Sequence, residues 1–235
     1  MYSGQIIGGA QQERSDEDEA VLQELWTAFL ENYYACKEGK MPLEDENKYR
    51  ILSSPGPVQY HTYIQFFDFF EDQEKVIEKN WEDLSMYDLA YMNDDSYPAI
   101  LSFIQEKTAA SDYKLTVMAC GMFWKHHIPT RKKLVALITG LHAQGVNFHL
   151  FTQAKITDPY INDLKGSIDR KSRFSLKERI AIHYVLAGQR YLLFELPHTE
   201  STVFRLNMFL DLDQVKYSAG KSKQGLLQFL DKLTK

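Results

Sequence analysis

Basic side chains concentrate between residues 124 and 133, where a predicted strand ends and a predicted helix begins. The members of this first patch are Lys125, His126, Arg131, Lys132 and Lys133. In open α/β sheets, ligands bind beyond the carboxyl ends of strands, and the first N–H groups of a helix point toward anions. Cations in a first helical turn oppose the helix macrodipole, and a bound anion would relieve that cost. The pattern predicts a phosphate site, and the alternative is a solvated basic turn.

A second basic patch lies in a predicted loop at residues 169–177. Its members are Arg170, Lys171, Arg173 and Lys177. Phosphate contacts make nucleic-acid binding strongly salt-dependent, so binding through these two patches should weaken steeply as salt is added. The predicted partner is nucleic acid or another phosphate-bearing ligand.

Adjacent histidines and paired carboxylates offer two alternative metal sites. His126 and His127 are neighbours but have no third ligand at a useful spacing. Asp211 and Asp213 share one face of a predicted strand and, with Glu195, could hold a divalent cation for nuclease chemistry. Carboxylates at strand ends more commonly cap the backbone or meet solvent. We therefore predict no metal and no cofactor.

His183 is the candidate nucleophile. It lies in the middle of a predicted strand at 179–186, where Tyr184 and Leu186 share one face and Val185 lies on the other. A single histidine in such a strand is commonly a hydrogen-bonded structural residue. The motifs GxGxxG, GxxxxGK[ST], HExxH and GxSxG are missing from the sequence, which excludes the simplest dinucleotide, nucleotide, zinc-protease and esterase sites.

Charge is distributed unevenly along the chain. Residues 1–113 contain 8 Lys and Arg against 23 Asp and Glu, whereas residues 114–235 contain 19 basic against 9 acidic side chains. Such an asymmetry indicates an anionic partner for the basic half or attraction between the halves, although two solvated surfaces can also differ by chance. We divide the chain into a mobile leader at 1–14, an acidic mainly helical region at 15–110 and a basic α/β domain at 111–235.

The acidic region is predicted to be helical from the cap at Ser15 to the stop at Gly39, and again within 71–89 and 97–107. Residues 41–57 form a predicted loop. Residues 60–70 fit either a strand or a helix, because alternating and helical spacings of aromatic residues coexist there.

In the basic half, the spacing of apolar residues becomes typical of strands as well as of helices. Strands at 114–121 and 146–152 flank a helix at 130–144, which predicts a βαβ unit with a parallel pair of strands. A short helix at 158–166 and the basic loop follow. A hairpin formed by 179–186 and 190–196, a strand at 203–210 and a helix at 224–233 complete the predicted elements.

This order of elements over about 97–235 resembles half of a phospholipase D-like domain, which implies an α/β sandwich with a mixed sheet. The signature of that superfamily is HxK, an aspartate after four more residues, and Gly-Ser after six more. His183 matches the histidine, but Val185 replaces the lysine, Arg190 replaces the aspartate, and 197–198 is Pro-His. The family's histidine accepts the phosphoryl group and its lysine holds the phosphate. The resemblance therefore implies a binding or dimerisation module without catalysis.

Composition narrows the class of protein further. Only Cys36 and Cys120 are present, which excludes a disulfide framework, and neither a membrane span nor a secretory signal is visible. We expect a cytoplasmic regulatory or adaptor protein whose basic half binds an anionic partner, with homodimerisation left open. One alternative is a phosphodiesterase or nuclease that uses His183. A second is a purely protein-binding module that recognises its partner through the acidic N-terminal helix.

Overall fold

The computed structural model describes residues 16–40, 57–77, 115–120, 128–152, 173–176, 182–196 and 207–235, and the statements below concern these residues. Four helices are described from end to end: α1 (Asp16–Lys37), α2 (Pro57–Phe67), α3 (Ile128–Ala143) and α4 (Lys223–Leu233). Six strands are present: β1 (Leu115–Cys120), β2 (Asn147–Thr152), β3 (Arg173–Leu176), β4 (Tyr184–Ala187), β5 (Tyr191–Glu195) and β6 (Asn207–Asp211). None of these helices combines the length and the apolar character that a membrane crossing needs.

Helices α1 and α3 end in the same way, each at a glycine in the left-handed region. Gly39 has φ +70° and Gly145 has φ +94°. After α1, the N–H of Lys40 donates to the carbonyl of Ala35 at 2.9 Å, and after α3 the N–H of Val146 donates to the carbonyl of Leu141 at 3.1 Å. These are Schellman caps, in which the glycine lets the chain reverse and satisfy carbonyls that the helix leaves free. Both predicted helix ends are confirmed.

The aromatic segment at 60–70 is mostly helical, which resolves the ambiguity of its sequence. Helix α2 begins at Pro57, a residue whose fixed φ and missing N–H suit the first helical position. Tyr60, Tyr63 and Phe67 are buried at helical spacing, whereas Ile64 is half-buried. The predicted loop at 41–57 therefore ends one residue too late at Pro57, and the rest of that loop lies outside the described residues.

The six strands form one mixed sheet in the order β3-β2-β1-β4-β5-β6. Strands β1, β2 and β3 are parallel to one another. Strand β4 pairs antiparallel with β1, and β5 and β6 follow it, each antiparallel to the strand before it. The predicted βαβ unit is confirmed by β1, α3 and β2. The predicted hairpin is also present, and its turn residues Gly188 and Gln189 both have φ +57°, as a turn that matches strand twist requires.

Two predictions about strands need correction. Arg173 begins the short strand β3, so part of the predicted basic loop at 169–177 is sheet. Four residues that include an arginine and a serine carry too little β pattern to be recognised alone. His183 lies immediately before β4 and not within it, because the strand begins at Tyr184. Residues 177–181 lie outside the described residues.

The main hydrophobic core lies between one face of the antiparallel strands and a layer formed by α1, α2 and α4. Aromatic side chains dominate it, and the fully buried members include Phe29, Tyr33, Phe66, Phe67, Phe70 and Phe194. A ring contact connects the helical layer to the sheet, with the Phe66 and Phe194 centroids 4.6 Å apart, and another connects α1 to α2, with the Phe29 and Tyr60 centroids 5.9 Å apart. Strand β4 is covered on both faces, since all four of its residues are buried.

This core includes residues from both sides of the predicted boundary near residue 110. Phe69 of the acidic region contacts Phe229 of α4, and Phe70 forms a bridge with Tyr217. The N–H of Ser218 donates to the carbonyl of Phe69 at 2.9 Å, and the N–H of Glu71 donates to the carbonyl of Lys216 at 2.9 Å. The change of charge and period near residue 110 thus does not coincide with a division between separate cores among the described residues.

The remaining predicted elements are described only in part. Strand β6 and helix α4 lie close to the predicted 203–210 and 224–233. Residues 73–77 form a helical turn within the predicted 71–89. The predicted leader at 1–14 and the predicted helices at 97–107 and 158–166 lie outside the described residues.

Candidate functional site

The carboxyl ends of the three parallel strands meet at one edge of the sheet. Cys120 at the end of β1 is paired with Thr152 at the end of β2, which in turn is paired with Leu176 at the end of β3. Strand β4 runs in the opposite direction, and its first residue Tyr184 is paired with Ala119 of β1. His183 therefore lies at this same edge, which we call the carboxyl edge.

Helix α3 begins beyond the carboxyl edge because it follows β1 in the chain. It starts at Ile128, two residues earlier than the predicted 130. Arg131, Lys132 and Lys133 are consequently the fourth to sixth helical residues, so they extend past the first turn. Their repulsion by the macrodipole is weaker than predicted, because that effect fades within one turn. The side chain of Lys132 is exposed.

The two predicted basic patches are only partly placed by the structure. Lys125, His126, Arg170, Lys171 and Lys177 lie outside the described residues. Arg173 is paired with His149 in the middle of β2, three residues before the end of β3. At the usual rise of about 3.3 Å per residue, the Arg173 backbone is roughly 10 Å from the carboxyl edge. The backbone of Arg173 therefore lies within the sheet, away from the carboxyl edge.

His183 is half-buried between two core residues of the chain, Ile182 and Tyr184. The Tyr184 hydroxyl donates a hydrogen bond to the carbonyl of Leu230 in α4 at 3.2 Å. This bond and the burial of its neighbours fix the backbone on which His183 stands. Ile182, Tyr184 and Leu186 all belong to the main core, as the predicted alternation of faces requires.

The residues at the positions that the resemblance assigns to lysine and aspartate are not placed to assist a phosphoryl transfer. Val185 is buried, with 3% of its surface exposed. Arg190 binds Asp211 through two hydrogen bonds, from Nε to Oδ1 at 3.0 Å and from Nη2 to Oδ2 at 2.8 Å. Its guanidinium also lies 4.9 Å from the centroid of the Tyr191 ring. The guanidinium of Arg190 is therefore bound by side chains of the protein itself.

Asp211 is the centre of an ion-pair network that joins the hairpin turn, the end of β6 and the start of α4. Asp213 donates its backbone N–H to Asp211 Oδ1 at 3.1 Å, and its carboxylate pairs with Lys223 at 2.5 Å. Burial alone would raise the pKa of Asp211, but the hydrogen bonds from Arg190 and from the Asp213 N–H lower it below its ordinary value. The hydrogen bond to Asp211 likewise raises the pKa of Arg190. Both groups are therefore charged at neutral pH.

The register contradicts the alternative divalent-cation site. Tyr191 is paired with Asp211, whereas Glu195 is paired with Asn207 at the opposite end of the same two strands. Four residues at about 3.3 Å each place Glu195 roughly 13 Å from Asp211 along the strand. Within the described ranges, no group of three or more His, Cys, Asp or Glu side chains has a geometry suited to a metal ion.

Several buried groups that could titrate are unsuited to acid–base or nucleophilic work near neutral pH. Burial raises the pKa of Tyr60 to about 12, despite a hydrogen bond from Asn32. Burial also raises the pKa values of Tyr33 and of the Cys36 thiol. Cys36 is thus a packed thiol, and little of it is the reactive thiolate.

The solvent-facing side of α1 carries a row of carboxylates. Glu17, Glu24 and Glu31 follow one another at seven-residue intervals, Glu38 continues the row directly after the helix, and all four are exposed. The opposite side of α1 is buried, through the side chains of Trp26, Phe29, Tyr33 and Cys36. From Trp26 to Cys36 the apolar side of this helix is therefore used by the core, and the row of carboxylates faces solvent.

Sequence reasoning missed the pairing of Arg190 with Asp211 and of Lys223 with Asp213. The two partners of the first pair are 21 positions apart, so spacing alone gave no signal. Once β5 and β6 are aligned as neighbours, however, the register places Tyr191 beside Asp211 and brings Arg190 within reach. The chain matches no protein-family model and shows no match to curated proteins.

Proposed function

We propose that this protein is a non-catalytic regulatory or adaptor protein that binds phosphate groups of a partner at the carboxyl edge. The observation that carries this proposal is the convergence of the parallel strand ends, the start of α3 and His183 at one edge of the sheet. Ligands of α/β sheets bind at such edges because loops and helix N-termini present free N–H groups there. A phospholipase D-like sandwich for residues 97–235 is part of the same proposal.

Charge supports an anionic ligand. Arg131, Lys132 and Lys133 follow the first residues of α3, and the predicted patch adds Lys125 and His126 from the preceding segment. The half of the chain that contains them has about twice as many basic as acidic side chains, 19 against 9. Basic side chains grouped at this edge would raise the local concentration of phosphate-bearing molecules.

Binding without catalysis is favoured by what surrounds His183. A phosphohistidine mechanism needs a cation to hold the transferred phosphoryl group, because charge develops on its oxygens. Val185 is buried and apolar, and Arg190 is committed to Asp211. The two positions that would assist the histidine in the family's chemistry are thus unsuitable.

The test compares two triple variants that remove the same charge. In the first, Arg131, Lys132 and Lys133 are changed to alanine. In the control, Lys37, Lys40 and Lys75 are changed to alanine, since all three are exposed in the helical layer. Fluorescence anisotropy measures binding of a labelled duplex DNA, a labelled single-stranded RNA and a labelled inositol hexakisphosphate at several salt concentrations.

We expect the first variant to lose at least about tenfold in affinity for one of the probes, while the control changes by less than about threefold. If duplex DNA is the ligand, the slope of log K against log salt should fall by about 2 to 3, because each lost phosphate contact contributes about 0.9. Which probe binds decides between nucleic acid and a small phosphorylated ligand. Equal loss in the two variants, or no binding of any probe by the wild type, would overturn the proposal.

A further inference from the structure

We draw no further inference here: the strongest candidate, the row of exposed carboxylates along the solvent-facing side of α1, is an acidic cluster, and no second observation in the described part of the chain points to what would bind it.

Discussion

Replacing Arg190 by alanine removes two hydrogen bonds from a carboxylate that is almost entirely buried. The Asp211 side chain is 7% exposed and that of Arg190 is 42% exposed. Removing one partner of a fully buried ion pair costs about 3 to 5 kcal/mol. Here solvent reaches the arginine side, and the N–H of Asp213 still donates to Asp211. The cost should therefore be close to that of lost hydrogen bonds to a charged group, about 2 kcal/mol.

Chemical denaturation of Arg190→Ala and wild type measures this loss as a difference in the free energy of unfolding. In a chain of this size, about 2 kcal/mol corresponds to a fall in Tm of roughly 4 to 8 °C. Lys75→Ala is the matched control, because its ion pair with Asp72 is exposed on both sides and should contribute less than about 1 kcal/mol.

A double-mutant cycle with Asp211→Asn isolates the pair itself. Since the asparagine side chain carries no charge, adding Arg190→Ala to that variant should cost much less than the same change in wild type. A coupling free energy of at least about 1 kcal/mol is expected for groups in direct contact. The reasoning is refuted if Arg190→Ala destabilises no more than Lys75→Ala, or if the two changes are additive.

Three other perturbations test the packing. Because the pKa of Asp211 is lowered by folding, its ion pair stabilises the protein above its unfolded pKa of about 3.9, and this contribution is lost as the pH falls through the lower folded value. The stability difference between wild type and Asp211→Asn should thus be constant from pH 7 to about 5 and should shrink below about pH 4; a difference that grows on acidification contradicts this. Gly145→Ala should lower the free energy of unfolding by about 1 kcal/mol, since φ is +94° although no atom lies within 4 Å of the new Cβ; an unchanged Tm would argue against the cap. A fragment of residues 111–235 should show no cooperative thermal unfolding, because it lacks Phe29, Phe66 and Phe67 of the core; a sharp transition near the wild-type Tm would contradict this.

Local signals in the sequence predicted those helices and strands whose ends are marked by cap or turn residues. Gly39 and Gly145 stop α1 and α3 because a left-handed residue is needed where each helix reverses. The βαβ unit was predictable because β1 is mostly apolar, β2 alternates polar and apolar residues, and the segment between them has helical spacing of its apolar residues. These features depend on residues close together in the chain.

Features that depend on distant residues were not predictable in the same way. Whether 60–70 forms a helix was decided by packing of Tyr63 and Phe66 against Phe194. The sharing of one core across residue 110 rests on aromatic contacts that no charge count reveals. Charge composition reports on the surface, whereas the core is made by the apolar side chains that the count leaves out.

The bridge between Phe70 and Tyr217 means that the core cannot be completed until synthesis has passed Tyr217. These residues are far apart in the sequence, and α4 closes the core beyond them. Contacts of such long range form slowly because a large loop must close before they stabilise anything. At about 5 to 20 residues per second, a ribosome needs roughly 10 to 30 seconds to travel from Phe70 to the end of α4. Until β5 and α4 have been synthesised, Phe66 lacks its partner Phe194 and Phe69 lacks its partner Phe229. The nascent chain should therefore depend on chaperones more than the folded protein does.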